Sequence, residues 1–485
     1  MEWEMSRIQM KKPFVKNFLL FILVYFILAL LFFWIVKDDW RRTTVSTDAV
    51  NRDVVLPELT AGSEIRQDFI AATDHLKKLT LHANKQDGAP DEGRIHAEIL
   101  NENRESVFSY DIPYDSVDPD GQISIPVGTD TGLRKGSAAA LILRAEGKLA
   151  FWCGRSRTAG KFQVNVETSG LQMNNEPVNG ELVMTQQGVN DLPYMDYYWS
   201  VVIGLFAVLT GIILYCHSCE KNNRKNLINK GLFLIRQYRY LLKTLVVRDF
   251  KIKYKASMLG VLWSFLNPLL MTFVYMFVFS TLFRSSIENF VVYLMSGIIL
   301  FNYFSEATNL GMQSIVGNAG LITKVYMPKY IFPISKVLSS GINLFISLIP
   351  LLIMMAITGV QFSKSLLLIP VVLFFLILFC TGVSLILAAV MVYFRDIQFL
   401  WGILIMILNF LSPIFYPESI IPARFITVYH MNPLYQYLFF MRTITIGGIS
   451  PTPVTYLYCA LASAAALAIG LFVFRKCQNQ FVLHL

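Results

Sequence analysis

The most distinctive chemistry in the chain lies at residues 248–255, RDFKIKYK, where basic side chains immediately precede an apolar stretch that opens near Leu259. Lysine and arginine in this position lie at headgroup level on the cytoplasmic face of a membrane and attract phosphate groups. We therefore predict an access or interface surface that holds an anionic headgroup through charge-assisted hydrogen bonds. This surface, the basic strip, consists of Arg248, Asp249, Lys251, Lys253, Tyr254 and Lys255.

No residue pattern in the chain predicts catalysis. The chain has no G-x-x-x-x-G-K-[ST] sequence, so it lacks a P-loop for nucleotide phosphates. The six histidines are scattered, and the lone Cys216-x-x-Cys219 pair has no second pair with the spacing that a zinc site needs. We predict that this chain has no catalytic residue and binds no metal and no cofactor.

Composition places the chain among membrane proteins. Of its 485 residues, 54% are hydrophobic and only 15% are charged, and the mean hydropathy is +0.50. A single soluble domain does not have this composition. We predict an α-helical polytopic membrane protein with about eight transmembrane helices, because eight stretches are long enough to cross about 30 Å of hydrocarbon. These stretches lie near residues 18–36, 197–216, 259–283, 291–312, 337–358, 366–393, 398–416 and 453–474.

Basic residues predict the orientation of the chain. Residues 1–17 and 217–258 are rich in lysine and arginine and belong in the cytoplasm, which leaves residues 37–196 outside. Residues 37–196 are acidic overall, so the net charge of +9 comes from juxtamembrane residues and does not indicate a nucleic-acid partner. The first stretch is too long for a cleaved signal and lacks a small-residue cleavage site, so we expect it to stay as an anchor.

The hydrophobic pattern changes to a period of two within residues 37–196. Apolar and polar residues alternate, as in Ile95-x-Ala97-x-Ile99, and turn residues separate the alternating runs. We predict an all-β sandwich of jelly-roll type. Such sandwiches resemble carbohydrate-binding modules, in which exposed rings stack on sugars, and the alternative is that the rings fill the core. The candidates for sugar contact are Tyr110, Tyr114 and Trp152.

These patterns divide the chain into five parts. We predict a cytoplasmic tail with the first anchor at 1–36, the extracytoplasmic sandwich at 37–196, a second transmembrane helix at 197–216, a basic amphipathic cytoplasmic segment at 217–258 and a six-helix domain at 259–485. Charge separates the last two parts, because eleven basic residues lie in the amphipathic segment, whereas apolar stretches fill the six-helix domain.

Four sequence motifs follow one another in the second half of the chain. They are RDFKIKYKASMLGVLWSFLNPLL from residue 248, LITKVYMPKYIFPIS at 321–335, VYFRDIQFL at 392–400, and SPIFYPESIIP at 412–422 followed by MNPLYQYLFFMR at 431–442. In order and spacing they resemble the permeases of ABC transporters that export polysaccharides, O-antigen and teichoic acid. The resemblance covers nearly the whole C-terminal half, and the first 220 residues depart from it.

The second motif resembles the first cytoplasmic loop of that family, which implies a coupling helix that docks on an ATPase. Pro328 and Pro333 stiffen the backbone. Lys324, Lys329 and Lys336 present positive charge. The alternative is an ordinary positive-inside loop, which needs the lysines but not two closely spaced prolines. The candidate coupling residues are Leu321, Lys324, Tyr326, Pro328, Lys329 and Pro333.

Prolines interrupt the later motifs. Breaks around Pro413, Pro417 and Asn432-Pro433 put irregular backbone in an apolar region, which is tolerated where the backbone packs in protein or lines a watery path. We expect residues 413–440 to be re-entrant and close to an outer gate. The alternative is a loop on the surface.

One carboxylate lies inside an apolar stretch. Glu306 would cost about 2.5 to 3.5 kcal/mol if it faced lipid in its ionised form, so it should face a conduit or a polar partner such as Arg442. Aromatic rings in the same half offer contacts for the C–H faces of sugars. The candidate conduit and gate residues are Glu306, Phe410, Pro413, Phe415, Tyr416, Pro417, Asn432, Pro433, Tyr435 and Arg442.

The resemblance implies a permease subunit in the cytoplasmic membrane of a bacterium. Its partners would be a second copy of itself, two ATPase chains that bind ATP and Mg, membrane lipids, and a lipid-linked polysaccharide or teichoic-acid-like glycopolymer that is moved outward. An exporter of a small lipid or drug is the nearest alternative. A chain-length regulator lacks six further spans, and a membrane glycosyltransferase needs more acidic residues than the four of the six-span region.

Overall fold

The chain forms two compact units in the computed structural model: a helical unit from residues 1–39 and 198–485, and a β unit from residues 40–197. Each unit has a hydrophobic core of its own. The structure describes residues 14–47, 54–56, 63–84, 94–113, 122–127, 132–145, 150–154, 171–174, 176–178, 181–221, 227–255, 259–283, 289–324, 327–416 and 418–484.

The β unit contains two antiparallel sheets. Its strands are β1 (Arg42–Ser46), β2 (Val54–Val55), β3 (Glu64–Ile70), β4 (His75–Asn84), β5 (Arg94–Leu100), β6 (Ser106–Pro113), β7 (Gln122–Pro126), β8 (Ala138–Ala145), β9 (Ala150–Gly154), β10 (Leu171–Met173), β11 (Glu176–Pro177), β12 (Glu181–Leu182) and β13 (Met184–Asp191). One sheet has the order β1-β13-β4-β9-β12, with β7 beside β4 and β2 beside β9. The other has the order β11-β10-β3-β8-β5-β6.

Both sheets contribute side chains to one core. Ile95, Ala97 and Ile99 alternate along β5 and are fully buried, as period-two spacing predicts. Leu79 and Leu81 of β4, in the other sheet, belong to the same buried cluster. A shift of one residue in strand pairing would move each apolar set to the opposite face, so the alternation fixes the register.

The helical unit is built from long apolar helices joined by short ones. They are α1 (Phe14–Arg41), α2 (Tyr198–Lys221), α3 (Leu227–Tyr254), α4 (Leu262–Phe283), α5 (Phe290–Gln313), α6 (Ala319–Ile322), α7 (Ile331–Ile357), α8 (Ile369–Tyr393), α9 (Ile397–Leu411), α10 (Ala423–Met431), α11 (Pro433–Thr445), α12 (Pro453–Cys477) and α13 (Phe481–His484). Proline occupies the first turn of α8, α11 and α12. An absent N–H is tolerated there because the first turn has no helical acceptor.

Among the described residues, six helical segments are long and apolar enough to cross a membrane. They are Asn17–Arg41, Pro193–Cys219, Phe290–Gln313, Ile331–Ile357, Lys364–Tyr393 and Pro453–His484. The two other predicted spans correspond to shorter apolar helices, Leu262–Val278 and Ile397–Leu411. The 15 residues of α9 rise about 22 Å, which is less than the roughly 30 Å of hydrocarbon.

Small residues let α8 and α12 pack closely. A Cβ atom added to Gly470 would lie 2.4 Å from the carbonyl oxygen of Gly382, and one added to Gly382 would lie 2.3 Å from the carbonyl carbon of Ala466. Residues without bulky side chains allow this backbone approach between membrane helices. The contact joins the C-terminal helix to the middle of the helical unit.

The N-terminal anchor packs on the rest of the helical unit. The Tyr198 hydroxyl donates to the carbonyl of Ala29 at 2.6 Å, which joins α2 to α1. At the end of α1, the Asp38 carboxylate lies 2.9 Å from Lys364 Nζ, and the Asp39 carboxylate accepts from the Ser450 N–H at 2.7 Å. The anchor is therefore held at its C-terminal end by two carboxylates.

Candidate functional site

The basic strip begins inside the last turns of α3. Asp249 accepts a hydrogen bond from Arg248 at 2.9 Å and forms an ion pair with Lys336 of α7 at 3.0 Å. The Asp249 side chain is only 6% exposed, so this carboxylate is buried between two cations. It attaches the strip to α7, and Lys336 therefore serves this contact and is not free to present its charge as the sequence suggested.

The carboxylate of Glu306 binds the strip. Lys253 Nζ donates to Glu306 Oε1 at 2.8 Å, and the Asn343 amide donates to the same oxygen at 2.9 Å. Tyr254 donates to Asn343 Oδ1 at 2.9 Å and also hydrogen-bonds to Ser264. Polar groups from α3, α4, α5 and α7 therefore form one network at the place where the strip meets the apolar helices.

Arg442 is not the partner of Glu306, which corrects the pairing suggested from sequence. Its Nη2 would lie 3.0 Å from a Cβ atom on Gly297, and Gly297 precedes Glu306 by about 14 Å of helical rise along α5. The two charges therefore contact different ends of α5. The sequence predicts a polar environment for both residues, but it does not predict which part of α5 each of them contacts.

A cavity of about 290 Å³ opens beside the network of Lys253 and Glu306. Its walls combine amides, hydroxyls, one carboxylate, one ammonium group and aromatic rings. The lining residues are Lys253, Tyr254, Trp263, Ser264, Asn267, Pro268, Ile299, Asn302, Tyr303, Glu306, Ser340, Asn343, Leu344 and Ser347. This polar surface lies among helices whose other faces are apolar.

Arg442 organises the segment that follows α9. Its guanidinium donates to the carbonyls of Pro413 at 2.8 Å and Ile414 at 3.2 Å. It also lies over the ring of Tyr293, 3.4 Å from the centroid, and the Tyr293 hydroxyl donates to the Tyr416 carbonyl at 2.7 Å. These bonds satisfy irregular backbone that lies outside any helix, as an apolar environment requires.

A second set of polar contacts lies within and next to residues 413–440, which we call the outer segment. Tyr435 donates to Glu418 at 2.5 Å, and His430 lies 2.9 Å from the same carboxylate. Asn432 accepts from the Leu434 N–H at 3.0 Å and donates to Ser412 at 3.1 Å, so it caps α11 and connects it to the end of α9. Tyr435 and Asn432 are therefore joined to Glu418, His430 and Ser412, which lie outside the candidate gate set.

Several predicted conduit rings are buried within the single chain. Phe415 and Tyr435 are 5% and 4% exposed, and Phe415 packs on Tyr275 with 4.5 Å between ring centroids. Phe410 is 58% exposed at the end of α9. Pro433 starts α11, and Pro417 lies outside the described residues.

The coupling segment, residues 321–335, divides into a buried and an exposed part. Lys324 is exposed, whereas Pro333 is buried in the first turn of α7. Lys329 donates to the carbonyl of Gln478 at 2.6 Å. Its ammonium group therefore contacts residues 478–484, the C-terminal turn, and does not project as predicted. Pro328 is half-buried, and Tyr326 lies outside the described residues.

A hydrophobic cluster joins the coupling segment to α3 and to the C-terminal turn. Ile322 and Phe332 of the segment share this cluster with Leu245 of α3 and Phe481 of α13, and Leu321 packs against it. The motifs predict the coupling segment and α3 as separate surfaces, and they do not predict a role for Phe481. The available signal was an apolar FVL after the polar residues CQNQ.

The β unit places one of its three candidate rings. Tyr110 lies on β6, the last strand of its sheet, is 38% exposed and stacks on Phe108 with centroids 6.3 Å apart. Tyr114 lies outside the described residues, and only the backbone of Trp152 is described, in β9. Within the described residues of the whole chain, no three His, Cys, Asp or Glu side chains form a metal-binding group.

Known proteins share the part of the chain that contains this site. Residues 240–446 match the family model described as ABC-2 type transporter. An O-antigen export system permease protein of Myxococcus xanthus, RfbA, is 31% identical over 249 residues, which cover 50% of this chain and 95% of that protein. The chain belongs to the ABC-2 type transporter family. The RfbA permease of Klebsiella pneumoniae is 29% identical with the same coverage, and the polysialic acid transport protein KpsM of Escherichia coli is 26% identical over 48% of this chain and 92% of its own length.

Membership in the ABC-2 family agrees with the expected class of protein. The chain is a multi-pass membrane protein, with six long apolar helices in the part that the structure describes, and its relatives are permease proteins. The family match begins within α3 and ends just after α11, so it includes the basic strip, the coupling segment and the outer segment. Residues 1–239, with the anchor helices and the β unit, lie outside that match.

Proposed function

We propose that this chain is the permease subunit of an ATP-driven exporter that moves a lipid-linked polysaccharide or teichoic-acid-like glycopolymer across the cytoplasmic membrane. The observation that carries the proposal is the match to permeases of O-antigen and polysialic acid over more than nine tenths of their own lengths. The chain functions as a homodimer with two ATPase subunits. ATP and Mg bind to those subunits, because this sequence has no P-loop.

The coupling segment receives the movement of the ATPase. Lys324 is exposed for docking, while Ile322 and Phe332 anchor the segment in the cluster shared with α3 and the C-terminal turn. Displacement of the segment therefore moves α3 as well, because packed side chains transmit strain. This contact gives the basic strip a mechanical connection to ATP hydrolysis.

The substrate reaches the transporter at the basic strip and leaves past the outer segment. Charge at the strip holds the phosphate of the lipid anchor. The outer segment is re-entrant, and its carbonyl bonds to Arg442 support an arrangement that opens at the interface between two copies. Exposed Phe410 is placed to touch the passing sugar chain.

The membrane arrangement has eight crossings. In addition to the six long helices, α4 and α9 cross as shorter spans, and their exposed apolar residues, such as Phe273, Phe277 and Phe399, support contact with lipid or with the second copy. The even number returns both ends of the chain to the cytoplasm. The β unit is then an extracytoplasmic sandwich, and Tyr110 at its edge is placed to stack on a sugar.

Depletion of the chain in its own cells tests the function. We expect surface glycan to disappear and polymer to accumulate inside, and the ATPase subunit to copurify with the tagged permease. If the surface glycan is unchanged while a small lipid is lost from the outer leaflet, the chain exports that lipid. If polymer reaches the surface with an altered chain length, it is a scaffold or chain-length regulator.

A further inference from the structure

The cavity beside the basic strip carries unused hydrogen-bonding capacity. The Ser340 side chain lines the cavity and is 1% exposed, and its hydroxyl has no hydrogen-bond partner among the described residues. The amides of Asn267 and Asn302 line the same space, are exposed, and have no partner in the described part of the chain. A buried hydroxyl without a partner is rare, so the Ser340 hydroxyl is suited to bind a ligand or water, and the exposed amides have donors and acceptors for the same ligand.

The cavity extends from the basic strip toward the middle of two long apolar helices, α5 and α7. Asn302 precedes the end of α5 at Gln313 by about 16 Å of helical rise, and Ser340 follows the start of α7 at Ile331 by about 14 Å. Polar side chains on apolar helices face the interior of the bundle or a water-filled space. Amides and hydroxyls at this depth therefore have a function beyond helix packing.

The cavity is lined by one ion pair, in which Lys253 Nζ lies 2.8 Å from Glu306 Oε1. Glu306 accepts both of its hydrogen bonds on Oε1, so Oε2 has no bonding partner among the described residues and can accept from a ligand hydroxyl. Lys253 uses one of its three N–H donors on Glu306 and is 41% exposed, so it has donors left for an anionic oxygen. The remaining donors of Lys253 fit a phosphate, and the hydroxyls, the amides and the free carboxylate oxygen fit the hydroxyls of a sugar next to it.

We propose that this cavity binds the sugar residue nearest the phosphate of the lipid-linked polymer, a proposal that rests on the export function given above. Asn302, Asn267 and Ser340 bond the sugar hydroxyls, and the ring of Trp263 at the wall packs on its C–H face. Lys253 faces the phosphate. The site recognises the lipid-proximal end of the polymer before the chain enters the conduit.

The volume agrees with a small ligand. About 290 Å³ is near the lower limit of small-molecule sites, which range from roughly 300 to 1,000 Å³. One sugar with an adjoining phosphate therefore fits, whereas a folded oligosaccharide does not. The repeating part of the polymer must lie elsewhere, so binding at this site does not depend on the structure of the repeat unit.

Binding measurements on the full-length protein in nanodiscs of phosphatidylethanolamine and phosphatidylglycerol test the proposal. The probes are a prenyl diphosphate linked to N-acetylglucosamine and the same prenyl diphosphate without sugar, and the bulk lipid is constant. We expect the wild type to bind the sugar-linked probe more tightly. Asn302→Ala should weaken that binding about fivefold to tenfold, as loss of one to two neutral hydrogen bonds does, and leave the sugar-free probe within twofold.

Two further variants sharpen the result. Ser340→Ala removes the buried hydroxyl with little change in volume and should reproduce the selective loss. Asn309→Ala, two turns along α5 and outside the lining, should bind both probes as the wild type does. Equal affinity of the wild type for both probes, or equal loss of both probes in Asn302→Ala, overturns the sugar site.

Failure of this proposal is separable from failure of the export function. If depletion of the chain abolishes surface glycan but Asn302→Ala binds both probes normally, export stands and the sugar site is wrong. If depletion leaves surface glycan unchanged, the export function itself is wrong. Selective weakening by Asn302→Ala together with loss of surface glycan supports both.

Discussion

Replacement of Phe481 by alanine tests whether the C-terminal turn holds the coupling segment. Phe481 is fully buried, its ring centroid lies 5.2 Å from that of Phe474, and Lys329 Nζ lies 5.7 Å from it. Truncation of a fully buried phenylalanine costs about 3–5 kcal/mol, and loss of the contact with the ammonium group adds about 0.5–2 kcal/mol. The lost packing free energy is larger than the stability that a single exposed helical turn has of its own.

The loss should appear as local release and not as global unfolding. α13 is four residues long, and one helical turn has almost no stability of its own. When Phe481→Ala removes the packing, residues 478–484 detach and the Gln478 carbonyl no longer accepts from Lys329. The coupling segment then loses one of its supports, so ATP hydrolysis continues while export per ATP falls.

Hydrogen exchange on the purified full-length protein measures this release. A penalty of about 3 kcal/mol corresponds to roughly a hundredfold faster exchange at residues 478–484, and Lys329 should react faster with an amine-acylating reagent. Leu483→Ala is the matched control, since this neighbour is 83% exposed. Unchanged exchange and Lys329 reactivity in Phe481→Ala, or the same change in Leu483→Ala, would refute the reasoning.

Three other perturbations follow from the structure. Arg442→Gln removes charge-assisted bonds to two backbone carbonyls, so the unfolding free energy in detergent should fall by about 2–4 kcal/mol, and an unchanged melting midpoint contradicts this. Gly382→Leu should lower the midpoint strongly because its side chain meets α12 backbone, whereas Gly402→Leu, which meets open space, should not. The hydrogen bond from His75 lowers the pKa of Asp191 in the folded protein. The Asp191 carboxylate therefore stabilises the β unit above its ordinary pKa of about 3.9, and this stabilisation is lost as the pH falls through the lower folded pKa. Amide exchange in β13 should accelerate over that acid range in the wild type but not in Asp191→Asn.

Periodicity was sufficient for features that depend on one segment alone. The alternation of Ile95, Ala97 and Ile99 predicts a strand with one buried face, and β5 has that face. The apolar runs predict the six long helices in the same way. Such patterns are local because period and hydrophobicity are properties of a single stretch.

Pairings between helices required the structure. Sequence identified Glu306 as a costly charge in an apolar helix but could not choose Lys253 over Arg442, because the choice depends on helix rotation and height. It also predicted a free ammonium group for Lys329, whose acceptor lies 149 residues away. Distances of this kind arise from packing, and no short motif encodes them.

The side of the membrane on which Lys324 lies tests the central claim most directly, since an ATPase can dock only from the cytoplasm. A cysteine in place of Lys324, measured with a membrane-impermeant thiol reagent against the unsubstituted chain as background, should be labelled in inverted vesicles and not in intact cells. ATPase subunits bound to the vesicles should block that labelling. Labelling from outside intact cells would contradict the account.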